Sequence, residues 1–373
     1  MLTLEKTKKV FLLTLIIILT LGLVMVYSAS YMYAQESFGS SLHFTLKQLI
    51  FMILGGGLAL LVSKTKMSFW YKHSYVLNGC MAFLVFLTHT PLGISIKGAQ
   101  RWLSLGSFSF QPGELIKYTT CLAAIHYFNK FNLYSNRERL LNTLHFLIPL
   151  ALLLAQPDFG SFSIVALLIC FAAFLSDLPR KIFFGGMLLI NVSVVALLFG
   201  ASYRIKRLMV FLDPWADPQN SGFQIIQSYL AFASGHFWGQ GIGNSNEKLF
   251  YLPEAHNDFI MSVLGEELGL IGVAFVVFLF LSFTFFGFKL ALCPKAKINQ
   301  QIIASFIFAI SIQGFLNMGV VLGLLPTKGL NLPFISYGGT ALVCNLIVIG
   351  IIFSCLSEKS QFASSSPYDI KEL

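Results

Sequence analysis

Ten apolar segments follow one another along the chain, and this succession constrains the fold more than any other feature. A helix of about 20 apolar residues crosses the hydrocarbon core of a bilayer, and most of these segments approach or exceed that length. They lie at 10–27, 46–62, 70–89, 112–128, 143–155, 161–175, 182–200, 258–288, 302–325 and 339–356. The sequence therefore predicts an all-α polytopic membrane protein with about ten transmembrane helices.

The basic residues indicate which side each loop faces, because lysine and arginine collect in cytoplasmic loops during insertion. If the N-terminus is cytoplasmic, alternating spans put the basic loops at 64–72, 130–139, 180–181 and 289–297 inside and return the C-terminus there. The net charge of +9 then requires no nucleic-acid partner. We expect one transmembrane domain over 1–358 and a disordered cytoplasmic tail over 359–373. The first span also fits a signal peptide, but its length favours a retained helix.

The longest polar segment, at about 201–257 before the eighth span, falls outside in this topology as a large extracytoplasmic loop. Basic residues within it and in the neighbouring outer loops oppose the insertion bias, so another factor must favour them there. They are Lys97, Arg101, Lys117, Arg204, Lys206, Arg207, Lys248 and Lys328. They indicate a site for phosphate or pyrophosphate on a lipid, the alternative being stray charges that long loops tolerate.

Two shorter patterns add candidates at the outer surface. Glu114 and Lys117 are three residues apart after Pro112, so they share one face at the start of the fourth span. Their pair is either structural or holds Lys117 ready for a phosphate, and the two readings are compatible. Asp158 lies in a Pro/Gly turn at 156–160 (QPDFG), where it forms the turn, orients a substrate or pairs with an outer arginine.

These motifs make the chain resemble the SEDS family (shape, elongation, division and sporulation) of FtsW/RodA polytopic glycosyltransferases, which polymerise peptidoglycan from lipid II. The resemblance covers nearly the whole chain, and 325–334 (LPTKGLNLPF) is closer to the division-associated branch. The matching segments are 98–102 (GAQRW), 110–117 (FQPGELIK), 156–160 (QPDFG), 251–259 (YLPEAHNDF), 265–269 (GEELG) and 332–339 (LPFISYGG). Gly113, His236 and the pair at 340–341 (TA) depart from the usual Ser, Gly and Ser-Ser, and we expect these changes to affect substrate affinity rather than chemistry.

The resemblance implies transfer between two lipid-linked disaccharides at the outer face of the bacterial cytoplasmic membrane, at the division site, with undecaprenyl pyrophosphate leaving. An inverting transfer needs one base and cations for the leaving group. The family's essential aspartate corresponds to Asp258, the expected catalytic base, for which a plain helix N-cap is the alternative. The candidate substrate-binding residues are Arg101, Glu114, Lys117, Asp158, Arg204, Arg207, Lys248, Glu254 and His256. For Glu254 and His256 a solvent-facing position is the alternative.

Two further motifs are left out of this catalytic set. Glu266 and Glu267 lie about 12 to 14 Å beyond Asp258 along the eighth span, where a carboxylate is costly. Gly265 and Gly269 allow another helix to approach closely, so hydrogen bonding at a packing site is at least as good a reading as function. The segment 336–339 (SYGG) carries no histidine or aspartate partner and predicts a close backbone approach rather than a serine nucleophile.

The family also implies partners: lipid II, a single-span class B penicillin-binding protein transpeptidase and other division proteins. Nucleotide and structural zinc motifs are absent from the sequence, whereas a divalent cation (Mg²⁺ or Mn²⁺) at the pyrophosphate remains open. A flippase and a non-catalytic division scaffold are the rival functions. The polar residues concentrate at the outer surface, whereas alternating access predicts a site near the midplane.

Overall fold

The computed structural model describes residues 3–96, 99–106, 108–199, 202–220, 222–245, 255–327 and 329–357. Helices cover all ten expected apolar segments, the third of them as two helices that meet at His73. The helices are α1 (Leu4–Phe38), α2 (His43–Ser63), α3 (Met67–Lys72), α4 (Ser74–Leu87), α5 (Pro112–Lys130), α6 (Asn136–Ala155), α7 (Phe159–Leu175), α8 (Arg180–Phe199), α9 (Ser202–Leu212), α10 (Phe223–Gly235), α11 (Ile260–Ala291), α12 (Lys297–Val321) and α13 (Gly339–Leu356).

Six of these helices are long and apolar enough to cross a membrane, namely α1, α2, α6, α11, α12 and α13. Helices α4 and α7 are apolar but shorter. The prediction of a multi-span helical membrane protein is therefore confirmed. The tail at 359–373 lies outside the described residues.

The segment expected to be an outer loop before α5 forms a small antiparallel sheet, which the sequence reading does not anticipate. Its strands are β1 (Gly93–Ile96), β2 (Ala99–Leu105) and β3 (Phe108–Phe110), in the order β1-β2-β3. Each strand is short, and the register shifts at a bulge between Ile94 and Ser95. Strands this short leave a hydrophobic pattern in the sequence that is difficult to recognise beside the long apolar runs.

The region expected to be one large polar loop, 201–257, is helical over much of its described length. It contains α9, a 3₁₀ turn at Pro214–Ala216 and α10. Asp213 starts the 3₁₀ turn, since its Oδ1 accepts a hydrogen bond from the amide of Trp215 at 3.1 Å. A glycine-rich segment, 236–243, follows α10, and a turn at 255–259 precedes α11.

The chain forms two compact units. Unit 1 comprises Met1–Leu54, Asn191–Phe286 and Ile310–Leu342, and unit 2 comprises Gly55–Ile190, Gly287–Ala309 and Val343–Leu373. In unit 1, α1 packs on α11 through Phe11 and Phe283, whose ring centroids are 4.9 Å apart.

Unit 2 is built on α5, which packs against α4 and α7 and is buried along most of its length. Tyr118 on this helix is 2% exposed, and its hydroxyl donates to Oδ1 of Asn345 at 2.6 Å. Phe171 and Phe308 stack at 4.2 Å elsewhere in the same unit. Aromatic packing and buried hydrogen bonds of this kind hold helices together in lipid, where hydrophobic burial provides little drive.

Candidate functional site

The turn at 255–259, directly before α11, presents its carbonyl groups to the segment that follows α12. The carbonyl of His256 accepts a hydrogen bond from the amide of Tyr337 at 3.0 Å, and that of Asn257 accepts one from Oγ of Ser336 at 2.7 Å. Oγ of Ser336 also accepts from the amide of Leu332 at 2.8 Å and the residue is 4% exposed. Ser336 thus links the turn at 255–259 to the segment that follows α12.

Asp258 follows in the same turn and is half-buried. Its carbonyl accepts a hydrogen bond from Nδ2 of Asn317 at 2.8 Å, and the same amide donates to the carbonyl of Leu330 at 2.6 Å. The Asp258 carboxylate lies close to Gly329, where a Cβ would be 3.3 Å from its Oδ2. Helix α11 begins two residues after Asp258, at Ile260.

His256 lies among aromatic rings rather than in open solvent. Its ring centroid is 4.8 Å from that of Phe44, 5.7 Å from that of Tyr33 and 6.0 Å from that of Tyr337, and the histidine is half-buried. Burial of Tyr337 itself raises the pKa of its phenol above the usual value. These ring contacts hold His256, the residue two positions before Asp258, in place.

Arg101 and Asp158 are brought together in unit 2. Strand β2 carries Arg101, whose Nη2 donates to the carbonyl of Pro157 at 2.7 Å and whose Nε donates to that of Gln156 at 3.3 Å. Its Nη1 lies 4.0 Å from Oδ1 of Asp158, and the same Oδ1 accepts from the amide of Ser161 at 3.1 Å. Asp158 therefore caps α7 and also lies within ion-pair distance of Arg101.

Glu114 and Lys117 form a buried ion pair on the first turns of α5. Nζ of Lys117 lies 2.7 Å from Oε2 of Glu114, and the two residues are 2% and 8% exposed. Nζ also lies 5.2 Å from the centroid of the Tyr118 ring. Removing Lys117 would take the ion-pair partner from the buried Glu114 carboxylate, which is costly.

The remaining candidates lie on α9 or outside the described residues. Arg207 on α9 is exposed, and its Nη1 donates to the carbonyl of Thr327 at 3.4 Å. Arg204 lies on the same helix, whereas Lys248 and Glu254 lie outside the described residues. The structure thus places Asp258, His256 and Arg207 in unit 1. It places Arg101, Glu114, Lys117 and Asp158 in unit 2.

A sequence profile described as a cell cycle protein family, FTSW_RODA_SPOVE, matches residues 8–361. This chain belongs to the FtsW/RodA/SpoVE family. It is 38% identical over 361 residues to the probable peptidoglycan glycosyltransferase FtsW of Geobacter sulfurreducens, covering 94% of this chain and 95% of that protein. It is 37% identical over 348 residues to the protein of the same description from Legionella pneumophila, covering 90% and 87%.

Solved structures give the same result for the fold. One, of a peptidoglycan synthase complex that coordinates polymerization and crosslinking, matches with a TM-score of 0.76 at 28% identity, covering 94% of this chain and 98% of that chain. The rod shape determining protein RodA of Thermus thermophilus matches with a TM-score of 0.68 at 25% identity, covering 93% and 95%. The family resemblance predicted from the motifs is confirmed.

Asn317 is the residue near Asp258 that sequence reasoning missed in this FtsW/RodA family member. It is 2% exposed and lies in the segment 302–325, which was read only as a span. A buried amide in an apolar helix is itself a signal, because it must find hydrogen-bond partners inside the protein. What the sequence could not supply was the identity of those partners.

A divalent cation was left open by the sequence. Among the residues that the structure describes, no three His, Cys, Asp or Glu side chains come together as a cation site.

Proposed function

We propose that this protein polymerises lipid II into glycan strands at the outer face of the cytoplasmic membrane during cell division, with Asp258 as the catalytic base. The observation that carries the proposal is the Asp258 turn, whose three successive carbonyls at 256–258 are each held by a hydrogen bond. A base must be held within hydrogen-bond reach of the hydroxyl that it deprotonates. Similarity to FtsW proteins over 94% of the chain supports the same reaction.

In the proposed reaction a sugar hydroxyl of one lipid-linked glycan attacks the anomeric carbon of another. The Asp258 carboxylate takes the hydroxyl proton as the new glycosidic bond forms, and the bond from the anomeric carbon to the pyrophosphate breaks with inversion. The electron pair of the broken bond leaves with the lipid pyrophosphate. Its developing charge is the part of the transition state that cations stabilise.

The cations differ in how readily they could meet that charge. The side chain of Arg101 is 25% exposed and Arg207 is exposed, so both are accessible to an anion. Lys117 is buried and paired with Glu114, so direct contact with a phosphate requires that pair to open. We assign Arg207, which lies in the same unit as Asp258, to the clamp, with Arg204 and Lys248 as further members.

The topology and the partner are part of the proposal. About ten spans in one domain over 1–358, both termini cytoplasmic and a cytoplasmic tail at 359–373 would place the 201–257 segment outside. A class B penicillin-binding protein would crosslink the strands, an assignment supported by similarity to a chain of a synthase complex that couples polymerization to crosslinking.

The test is glycan synthesis from purified lipid II by the protein in proteoliposomes, with and without its penicillin-binding partner. Polymeric product is expected from the wild-type protein. If lipid II crosses the bilayer while no polymer forms under either condition, the protein is a flippase and the proposal fails. If neither activity appears while the partner is still bound, the scaffold reading replaces it.

A further inference from the structure

Helix α11 is interrupted nine residues after its start, at Gly269, where φ is 64° and ψ is −165°. A continuous helix would join the amides of Leu270 and Ile271 to the carbonyls of Glu266 and Glu267. At the interruption these backbone groups need other partners, since an unsatisfied amide or carbonyl at membrane depth costs several kcal/mol.

The glycine-rich segment after α10 supplies those partners by inserting into the break. Two of its carbonyls accept from α11 and two of its amides donate to α11. The four hydrogen bonds run from the amide of Leu270 to His236 O (2.9 Å), Ile271 to Phe237 O (3.4 Å), Gln240 to Glu266 O (2.9 Å) and Gly241 to Glu267 O (3.0 Å). The inserted backbone replaces the helical bonds on both sides of Gly269.

Glycines make this insertion sterically feasible. A Cβ on Gly239 would overlap the carbonyl oxygen of Glu267, and a Cβ on Gly269 would overlap the backbone nitrogen of Gly239. At the end of α10, a Cβ on Gly235 would overlap the carbonyl oxygen of Gly265. Close packing was expected at Gly265 and Gly269 from another helix, whereas the backbone that approaches Gly269 belongs to the glycine-rich segment.

The buried carboxylates of Glu266 and Glu267 attach the N-terminal half of α11, Ile260–Leu268, to two neighbours, the inserted segment and α1. Glu266 accepts from Oγ of Ser234 at 3.2 Å and from Oγ of Ser245, which lie at the two ends of the inserted segment. Glu267 accepts from Oγ of Ser28 on α1, which lies 2.6 and 2.7 Å from its two carboxylate oxygens. The glutamates are 2% and 0% exposed, so these hydrogen bonds form away from water.

The half-helix also carries the catalytic turn at its other end. At about 1.5 Å per residue it is roughly 13 Å long, so a tilt of about 5° at the break moves the Asp258 end by about 1 Å. A displacement of that size costs on the order of a hundredfold in rate when a reacting group must stay in line. The rate of the proposed reaction therefore depends on the direction of this short helix.

We propose that Glu266 and Glu267 are positioning residues, which lock the half-helix Ile260–Leu268 to α1 and to the inserted glycine-rich segment and thereby aim Asp258. The proposal rests on the proposed function, because Asp258 has a reaction to perform only there. It gives the intramembrane carboxylates a role that needs no transported ion or substrate.

The test compares serines that are hydrogen-bonded to α11 on either side of the break. Ser28→Ala removes the donor to Glu267, whereas the control Ser311→Ala removes the acceptor of a 2.7 Å hydrogen bond from Thr284 on the other half of α11. The two serines are 2% and 3% exposed. We expect kcat for lipid II polymerisation to fall about tenfold in Ser28→Ala with KM within about twofold, and to stay near the wild-type value in the control.

Two further measurements separate positioning from general stability. Glu267→Gln keeps an acceptor oxygen, so it should retain more of kcat than Glu267→Ala. Amide hydrogen exchange within 260–268 should accelerate in Ser28→Ala and not in Ser311→Ala, a readout that is independent of activity. Equal kcat in the two serine variants, a loss confined to KM, or unchanged exchange in 260–268 would overturn the positioning role. An inactive wild-type protein would instead count against the proposed function, while the exchange comparison would still test the lock.

Discussion

Replacing Asn317 by alanine removes the side-chain amide that is hydrogen-bonded to the turn containing Asp258. Its Nδ2 donates to the carbonyls of Asp258 at 2.8 Å and Leu330 at 2.6 Å, and both lose their donor. An unsatisfied buried carbonyl costs about 1 to 3 kcal/mol. Leu330 is 5% exposed and loses close to the full amount, whereas Asp258 is half-buried and recovers part of its loss from water. The expected loss in the free energy of unfolding is about 2 to 4 kcal/mol.

Asn129→Ala is the matched control, because Nδ2 of Asn129 also donates to two acceptors, the carbonyl of Ile125 at 2.8 Å and Oε1 of Gln301 at 2.6 Å. Equilibrium unfolding in mixed micelles measures stability, and initial rates of glycan synthesis in proteoliposomes measure kcat. We expect both variants to lose stability. Only Asn317→Ala should lose kcat, by roughly ten- to a hundredfold. If Asn317→Ala keeps the wild-type kcat, or if both variants lose the same fraction, the turn is not what holds the base.

Three other substitutions test separate features. His236→Gly should raise the free energy of unfolding by about 1 kcal/mol, because a side chain at φ 47° and ψ −144° is strained where glycine is not. Lys117→Met should destabilise by about 3 to 5 kcal/mol by stranding Glu114, and Glu114→Gln combined with it should restore most of that loss. Gly239→Ala should destabilise by roughly 2 kcal/mol or more, since its methyl group overlaps the Glu267 carbonyl. Unfolding in mixed micelles measures all three.

Each of these has a clear contrary result. A less stable His236→Gly protein would mean that the histidine makes contacts worth more than the strain. If the double variant at 114 and 117 is no more stable than Lys117→Met alone, the stranded Glu114 carboxylate is not what destabilises the single variant. A Gly239→Ala protein as stable as wild type would mean that the inserted segment has room to shift.

The sequence predicted the parts of the fold that depend on local pattern. Each apolar run became helix, and Pro112 opens α5 as its position suggested. The spacing of Glu114 and Lys117 correctly placed both on one face, because helical periodicity alone determines that neighbourhood. Motifs in order along the chain were enough to identify the family, since they are read residue by residue.

Features that depend on distant partners could not be predicted in this way. The interruption at Gly269 is stabilised by a segment some 30 residues earlier, and nothing in 265–269 alone distinguishes a break from a packing glycine. Ser28 lies 239 residues from Glu267, so their hydrogen bond is invisible to local pattern. The roles of Asn317 and Ser336 could not be predicted for the same reason, because each side chain donates to a carbonyl that is distant in the sequence.

The central claim is that the Asp258 carboxylate is the base. The most direct measurement is kcat for glycan synthesis by Asp258→Asn, which keeps the size of the side chain and removes its basicity. Asp213→Asn is the matched control, an exposed carboxylate of the same unit whose capping role an asparagine retains. We expect a loss of about 10² to 10⁴ in kcat for Asp258→Asn with lipid II binding and folding intact, and a wild-type rate for Asp213→Asn. Polymerisation at the wild-type rate by Asp258→Asn would contradict the claim.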